Sequence, residues 1–232
     1  MNQWLIPRIA ALVRLYYQVF YRVRVMGHPF PDLSQGPVIV AGNHVSMNDP
    51  VLLSAFLSPS IRFMAKEELF RVPGLCWLIR KMGAFPVVRR GIGIGAIRKG
   101  LAILRAGGMV GIFPEGTRNH GGPLLPAKPG VGFLAVRTGA VIVPVAITLR
   151  PRRIFRRNEI RVGQPIVVTS QWKSDYRALA RHVLATVDEM LQVPYSTTAG
   201  SRQGETSAES PSPSDAAVSV NSGPVSPEAE LE

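Results

Sequence analysis

The stretch PVIVAGNHVSMNDP, residues 37–50, joins an apolar strand pattern directly to a polar cluster. Its first half is a short β-branched run ending in small residues, which is typical of a buried strand. His44 and Asp49 then stand five apart on a tight connection. A carboxylate this near is able to hold one ring nitrogen of a histidine, which leaves the other as a general base for an alcohol. Asp49 also suits a helix N-cap and Pro50 a first turn, so a strand, a turn and a helix with His44 solvated in the loop fit the same residues.

Two further polar clusters follow apolar runs. Met109–Phe113 leads into Phe113-Pro114-Glu115-Gly116-Thr117-Arg118, and residues 83–88 lead into Arg89 and Arg90. Because the carboxyl ends of parallel strands gather on one rim of a sheet, we expect all three clusters to converge there. Guanidinium groups match phosphate oxygens, Gly116 permits close backbone approach, and Thr117 adds a hydroxyl. The combination indicates a base beside an anion-binding surface.

Strands alternate with helices along the chain, which predicts an α/β fold: one domain with a mostly parallel sheet flanked by helices. We expect short late strands at 160–162 and 166–168, and one amphipathic helix over 172–191. A helix over 94–106 should face the core with an apolar stripe at helical spacing. The stripe consists of Ile94, Ile97, Leu101 and Leu104.

Composition divides the chain into three predicted regions. Residues 1–27 interleave aromatic side chains with arginines, which favours an amphipathic helix lying in the headgroup layer of a membrane. An ordinary helix packed on its own domain is the alternative. No 18-residue apolar span and no signal-peptide pattern occur there. Residues 28–195 form the folded domain, and 196–232 lack the apolar content to fold, so we expect a disordered tail.

The charge distribution indicates an anionic partner. The chain has a net charge of +12, yet residues 196–232 contain one arginine against six acidic residues, which leaves +17 on residues 1–195. Nucleic acid, an anionic membrane surface and a phosphorylated or CoA-like substrate would each account for it. The sequence contains no nucleic-acid-binding module, so we expect no nucleic acid partner. Cys76 is the single cysteine and the four histidines lack a metal-ligand spacing, so a reducing compartment and no metal are expected.

Four segments together resemble the conserved blocks of the glycerolipid acyltransferase family, in the order and spacing of its bacterial 1-acylglycerol-3-phosphate acyltransferases. They are Asn43-His44-x-x-x-x-Asp49, residues 83–89, Phe113–Arg118 and Val143-Pro144-Val145. The linking segment MAKEELF, residues 64–70, is also similar to that family. The match covers about residues 35–150.

This resemblance implies direct transfer of a fatty acyl group from acyl-CoA or acyl-carrier protein to a glycerol phosphate hydroxyl, without a covalent acyl-enzyme or a further cofactor. His44 would deprotonate the hydroxyl, and Asp49 would fix its tautomer. The resemblance assigns the glycerol phosphate to Arg89, Glu115, Gly116, Thr117 and Arg118, with Glu115 aligning an arginine or the glycerol. Pro144 would shape the acyl-chain or donor side, and Lys66 and Lys128 are weaker candidates for anion contact.

The implied reaction is conversion of lysophosphatidate to phosphatidate in phospholipid biosynthesis, by a peripheral protein on the cytoplasmic face of an anionic membrane. Glycerol-3-phosphate or another lysophospholipid is an alternative acceptor. A hydrolase using His44 would need a nucleophile, and Ser46 lacks the Gly-x-Ser-x-Gly context. A non-catalytic anionic-membrane binder is the third alternative.

Overall fold

The computed structural model describes residues 5–31, 36–81, 84–87, 94–119, 122–148, 155 and 157–194. Seven strands in these ranges form the sheet: β1 Val23–Gly27, β2 Val38–Gly42, β3 Ile61–Lys66, β4 Phe85–Val87, β5 Met109–Ile112, β6 Val141–Ile147 and β7 Asn158–Val162. The helices are α1 Leu5–Tyr21, α2 Asp49–Phe56, α3 Leu75–Lys81, α4 Ile94–Arg105, α5 Gly130–Thr138, α6 Ser170–Ser174 and α7 Tyr176–Gln192. A 3-10 turn, Glu67–Arg71, precedes α3.

The strand order is β1-β7-β6-β2-β5-β3-β4, and β2 lies in the middle. Every pairing of these strands is parallel except that of β6 with β7, where Val145 stands opposite Val162. All five residues of β2 are buried, which explains why its sequence is continuously apolar. The predicted α/β fold with a mostly parallel sheet is therefore confirmed.

Each face of the sheet carries its own core, because successive side chains of a strand point to opposite faces. On one face, Val38 and Val40 of β2 pack with Leu52 and Leu53 of α2 and with Tyr17 of α1. On the other face, β2 and β6 pack against α4, α5 and α7; the buried residues here include Ile39, Ala41, Ile142, Leu104, Leu134, Leu179 and Val183. Packing in the first core holds α2 against β2, and this fixes the position of the residues that connect the two.

The N-terminal helix is shorter than the predicted 1–27. It ends at Tyr21, and Val23–Gly27 form an edge strand paired with β7. Arg22 makes the break with a left-handed φ of +46°. Residues 23–27 therefore belong to the sheet and not to the helix.

Three other predicted elements differ in detail. Ile94 is 58% exposed, because α4 buries the small residues Ala96 and Gly100 beside Ile103 and Leu104 instead. The helix predicted over 172–191 is divided at Asp175, whose carboxylate accepts a hydrogen bond from the Ala178 amide and caps α7. Ile166 forms only an isolated bridge with Ile142, and no strand is assigned at 166–168.

Helix α1 packs on α2 with one side and exposes apolar residues on the other. The Arg14 guanidinium donates to the Phe56 carbonyl oxygen at 2.9 Å and lies over the Phe56 ring, while Tyr17 is buried. The exposed apolar side chains are Leu12, Leu15, Tyr16, Val19 and Phe20. Within the part of the chain that the structure describes, no helix is both long and apolar enough to cross a bilayer. The predicted tail, 196–232, lies outside the described residues.

Candidate active site

The exit of β2 is fixed by Asn43, whose side chain extends the sheet by one rung. Its amide nitrogen donates to the Ile147 carbonyl at 2.9 Å, and its oxygen accepts from the Ile147 amide at 2.7 Å. Asn43 is 1% exposed, so both bonds are shielded from water. Sequence reasoning quoted this residue but gave it no role; the available signal was a polar side chain directly after a continuously apolar strand.

His44 and Asp49 are in direct contact. His44 Nδ1 lies 2.8 Å from Asp49 Oδ2, and the same oxygen accepts from the Val45 and Ser46 amides, each at 2.8 Å. Asp49 is fully buried at the start of α2, where Asn48 takes the N-cap position expected for Asp49. A carboxylate at Nδ1 selects the tautomer with the proton on that nitrogen. Nε2 is then the acceptor that a general base requires.

The imidazole is held flat against an aromatic ring. His44 stacks on Phe113 with ring centroids 4.1 Å apart and an angle of 11° between the planes, and Phe63 stacks on Phe113 in turn. The His44 side chain is 18% exposed. The ring therefore has a fixed orientation and an edge that a substrate is able to reach.

Glu115 ties the His44 segment to the turn that follows β5. Its Oε1 accepts from the His44 amide at 3.0 Å, and its Oε2 accepts from the Leu125 amide at 3.1 Å. The Asn119 amide donates to the His44 carbonyl at 2.7 Å. Two of the three polar clusters thus meet at one edge of the sheet. Glu115 is 2% exposed, and each of its carboxylate oxygens accepts a backbone hydrogen bond. This arrangement differs from the expected alignment of an arginine or the glycerol.

Gly116 shapes the outer part of this turn. Its φ is +69°, and a Cβ at this position would lie 2.5–2.7 Å from the Cδ, Cε and Nζ atoms of Lys128. The left-handed backbone angle is the feature that favours glycine here, since the flexible end of Lys128 could move aside for a side chain. Lys128 therefore lies across the turn, and Thr117 and Arg118 are exposed beside it. Within the described ranges Arg118 forms no ion pair.

Pro144, another predicted site residue, is not brought to His44. Pro144 is buried on the opposite face of the sheet, where its ring packs beside Gly163 and Met190. Strand alternation sends Val143 and Val145 toward the face that carries α2 and turns Pro144 away from it. Arg89 lies outside the described residues, and Lys66 is the last residue of β3.

The Ser46 hydroxyl oxygen accepts from the Asn48 amide at 3.2 Å and so belongs to the turn before α2. Among the residues whose placement is described, no group of three or more His, Cys, Asp or Glu side chains could hold a metal ion.

Comparison with known proteins identifies relatives of the folded domain. The acyltransferase family profile matches residues 22–148, more than half of the chain. A 1-acyl-sn-glycerol-3-phosphate acyltransferase of Borreliella burgdorferi is 38% identical over 113 residues, which cover 47% of this chain and 45% of that protein. The 1-acyl-sn-glycerol-3-phosphate acyltransferase alpha of Ovis aries is 33% identical over 200 residues, covering 78% of this chain and 68% of that protein.

A solved structure shares the fold. The crystal structure of the 1-acyl-sn-glycerophosphate acyltransferase PlsC from Thermotoga maritima matches with a TM-score of 0.64 and 27% identity, over 83% of this chain and 80% of that chain. The match to the Borreliella burgdorferi relative spans just under half of that protein's length. The family match, the sequence relatives and the shared fold agree with the resemblance seen in the four segments: the chain belongs to the acyltransferase family.

Proposed function

We propose that this protein transfers a fatty acyl group from an acyl thioester to the free hydroxyl of lysophosphatidate, giving phosphatidate. The observation that carries the proposal is the 2.8 Å contact between His44 Nδ1 and Asp49 Oδ2, beside the Phe113–Arg118 turn. The curated relatives quoted above are named for this reaction class. The acyl donor is acyl-CoA or acyl-carrier protein, and no other cofactor takes part.

The proposed mechanism is general-base catalysis by His44. Nε2 takes the proton of the acceptor hydroxyl while the hydroxyl oxygen attacks the carbonyl carbon of the thioester. Asp49 stabilises the imidazolium that forms, through the hydrogen bond to Nδ1. The C–S bond breaks when the tetrahedral intermediate collapses, and the imidazolium returns the proton to the thiolate. No covalent acyl-enzyme is formed.

The acceptor phosphate is placed beside the turn that follows β5. Arg118 is exposed there, and the Lys128 side chain crosses Gly116, so two cations border one surface next to His44. Thr117 adds an exposed hydroxyl to it. By family resemblance, Arg89 is a further phosphate contact. Glu115 contributes by holding the two loops together.

The protein is proposed to work at an anionic membrane, on its cytoplasmic face, as a peripheral protein. The net charge of +17 on residues 1–195 and the exposed apolar side of α1 support this placement. The lipid acceptor would then reach the site, and the product leave it, without crossing water.

The decisive assay offers purified protein lysophosphatidate and acyl-CoA and follows phosphatidate and free thiol. His44→Ala should lower kcat by about 10²–10⁴, because the general base is lost. His28→Ala is the matched control, since His28 is exposed at the far end of β1. Full turnover in His44→Ala would refute the mechanism. Thiol release without phosphatidate would identify a hydrolase, and a preference for glycerol-3-phosphate would change the acceptor.

Arg118→Ala tests the acceptor site separately. Loss of a charge-assisted hydrogen bond to phosphate should raise KM for lysophosphatidate by about 10- to 100-fold, with a smaller change in kcat. Arg98→Ala removes an exposed arginine of α4, on the other face of the sheet, and serves as the control. An unchanged KM in Arg118→Ala would remove this residue from the acceptor site.

A further inference from the structure

A second cationic site lies at the start of β1. A cavity of about 370 Å³ is lined by Gln18, Arg22, Val23, Arg24 and Arg157. Its size is within the range of small-ligand pockets. Within the part of the chain that the structure describes, none of the three arginines forms an ion pair.

The carboxylate that the sheet places beside Arg24 already has a partner. Glu159 stands opposite Arg24 in the β1–β7 pairing, but its Oε2 is bonded to Arg161 at 2.7 Å. Three guanidiniums at one cavity suit the oxygens of a phosphate.

The sheet places this cavity on the same edge as His44. Strand β7 runs antiparallel to β6, so Asn158 at its start lies next to the end of β6. Val23 pairs with Asn158, which brings Arg22 and Arg157 to that edge. β2 also ends there, because Asn43 is bonded to Ile147. With strands about 4.8 Å apart, three strand spacings put the cavity about 14 Å from the exit of β2.

The surroundings of the cavity indicate an amphiphilic ligand. Leu12, Leu15 and Val19 are exposed at helical spacing along α1, and Gln18 continues that side of the helix to the cavity. Phe155 is also exposed, its ring lies 6.2 Å from that of Phe20, and its amide donates to the Phe20 carbonyl at 2.7 Å. A phosphate on the arginines would thus have an apolar surface directly beside it for acyl chains.

We propose that Arg22, Arg24 and Arg157 form a headgroup site for an anionic phospholipid of the membrane, separate from the acceptor site at Arg118. The ligand class is a phosphate ester that carries acyl chains. Occupancy of this site would orient the edge bearing His44 toward the bilayer. The proposal rests on the proposed function only in taking the membrane as the place of reaction.

The test compares vesicle binding of two variants that lose the same charge. One carries Arg22→Gln, Arg24→Gln and Arg157→Gln; its matched control carries Arg98→Gln, Arg105→Gln and Arg177→Gln, three exposed arginines of α4 and α7. Co-sedimentation uses phosphatidylcholine vesicles with and without one third phosphatidylglycerol, and no acyl donor. A basic residue at an anionic surface contributes about fivefold in affinity, so the first variant should lose at least about tenfold on anionic vesicles and the control much less.

Equal losses of vesicle affinity in both variants would overturn the site, because the overall charge of the protein would then account for binding. Coenzyme A tests whether the site instead binds a soluble phosphate compound. If the Arg22→Gln, Arg24→Gln, Arg157→Gln variant bound coenzyme A more weakly but kept its affinity for vesicles, the lipid assignment would also be overturned. Should the triple variant melt at a clearly lower temperature than the wild type, Arg24→Glu alone carries the comparison. Because no turnover is needed, a failed acyl-transfer assay would refute the proposed function without affecting this result.

Discussion

Glu115 connects two loops that have to stay together around His44. In Glu115→Gln, one oxygen still accepts a hydrogen bond, but the amide NH₂ faces a backbone N–H donor. We expect the free energy of unfolding to fall by about 1–3 kcal/mol, with a parallel loss of kcat, because a buried donor is left unpaired. Urea unfolding and initial rates measure the two effects.

Glu189→Gln, at an exposed position of α7, is the control and should leave both quantities unchanged. If Glu115 instead aligned the glycerol, its substitution would raise KM for the acceptor and leave the unfolding free energy intact. That result would contradict the positioning role.

At the level of single residues, sequence reasoning worked where the partners are close in the chain. His44 and Asp49 are five residues apart, so their spacing allowed the contact that the structure has, beside the alternative of a solvated histidine. Asn43 bonds to a residue 104 positions away, and Glu115 reaches back 71 positions to the His44 amide. Those partners depend on which strands are neighbours, and no local pattern specifies that.

Helix α1 holds both ends of α2, the helix that begins with Asp49. Arg14 donates a hydrogen bond to the Phe56 carbonyl at the C-terminus of α2. Tyr17 packs near Asn48 and Asp49 at the start of α2. Burial raises the pKa of the Tyr17 phenol to about 12, and the neighbouring Tyr21 and Tyr16 add to the effect. The folded protein therefore keeps the proton that the unfolded chain releases near pH 10.

This difference in pKa predicts a loss of stability as pH rises from about 10 toward 12, where the unfolded state binds fewer protons than the folded state. The loss attributable to Tyr17 reaches at most about 3 kcal/mol. Tyr17→Phe should therefore be no more stable than wild type near about pH 8 and more stable near about pH 11.5. Urea unfolding at both pH values measures it, with Tyr176→Phe at the start of α7 as control; an identical pH response in Tyr17→Phe and wild type would contradict it.

At the level of elements, helices and strands were predictable from periodicity, and their ends were not. Gly139 closes α5 with a left-handed φ of +67°, as a glycine at that point indicates. Arg22 makes the same kind of break after α1 without glycine, so the sequence held no local sign of it. The strand that follows is stabilised by β7, whose residues lie more than a hundred positions further along.

For the whole molecule, the alternation of strands and helices was enough to predict a mostly parallel α/β sheet. The reversal between β6 and β7 was not predicted, because the sequence pattern of a strand does not state its direction. That reversal carries the start of β1 to the edge where β2 ends. The second cationic site consequently becomes visible only when the strand order is known.

Helix α1 has an exposed apolar side and also covers part of the hydrophobic core. Leu12, Leu15 and Val19 look outward from a helix whose inner side covers Leu52 and Phe56. Deleting α1 to obtain a more soluble protein would therefore expose the hydrophobic core that this helix covers. A more soluble version has to be engineered by exchanging the outer side chains one at a time, since the same helix carries the exposed apolar side and covers the core.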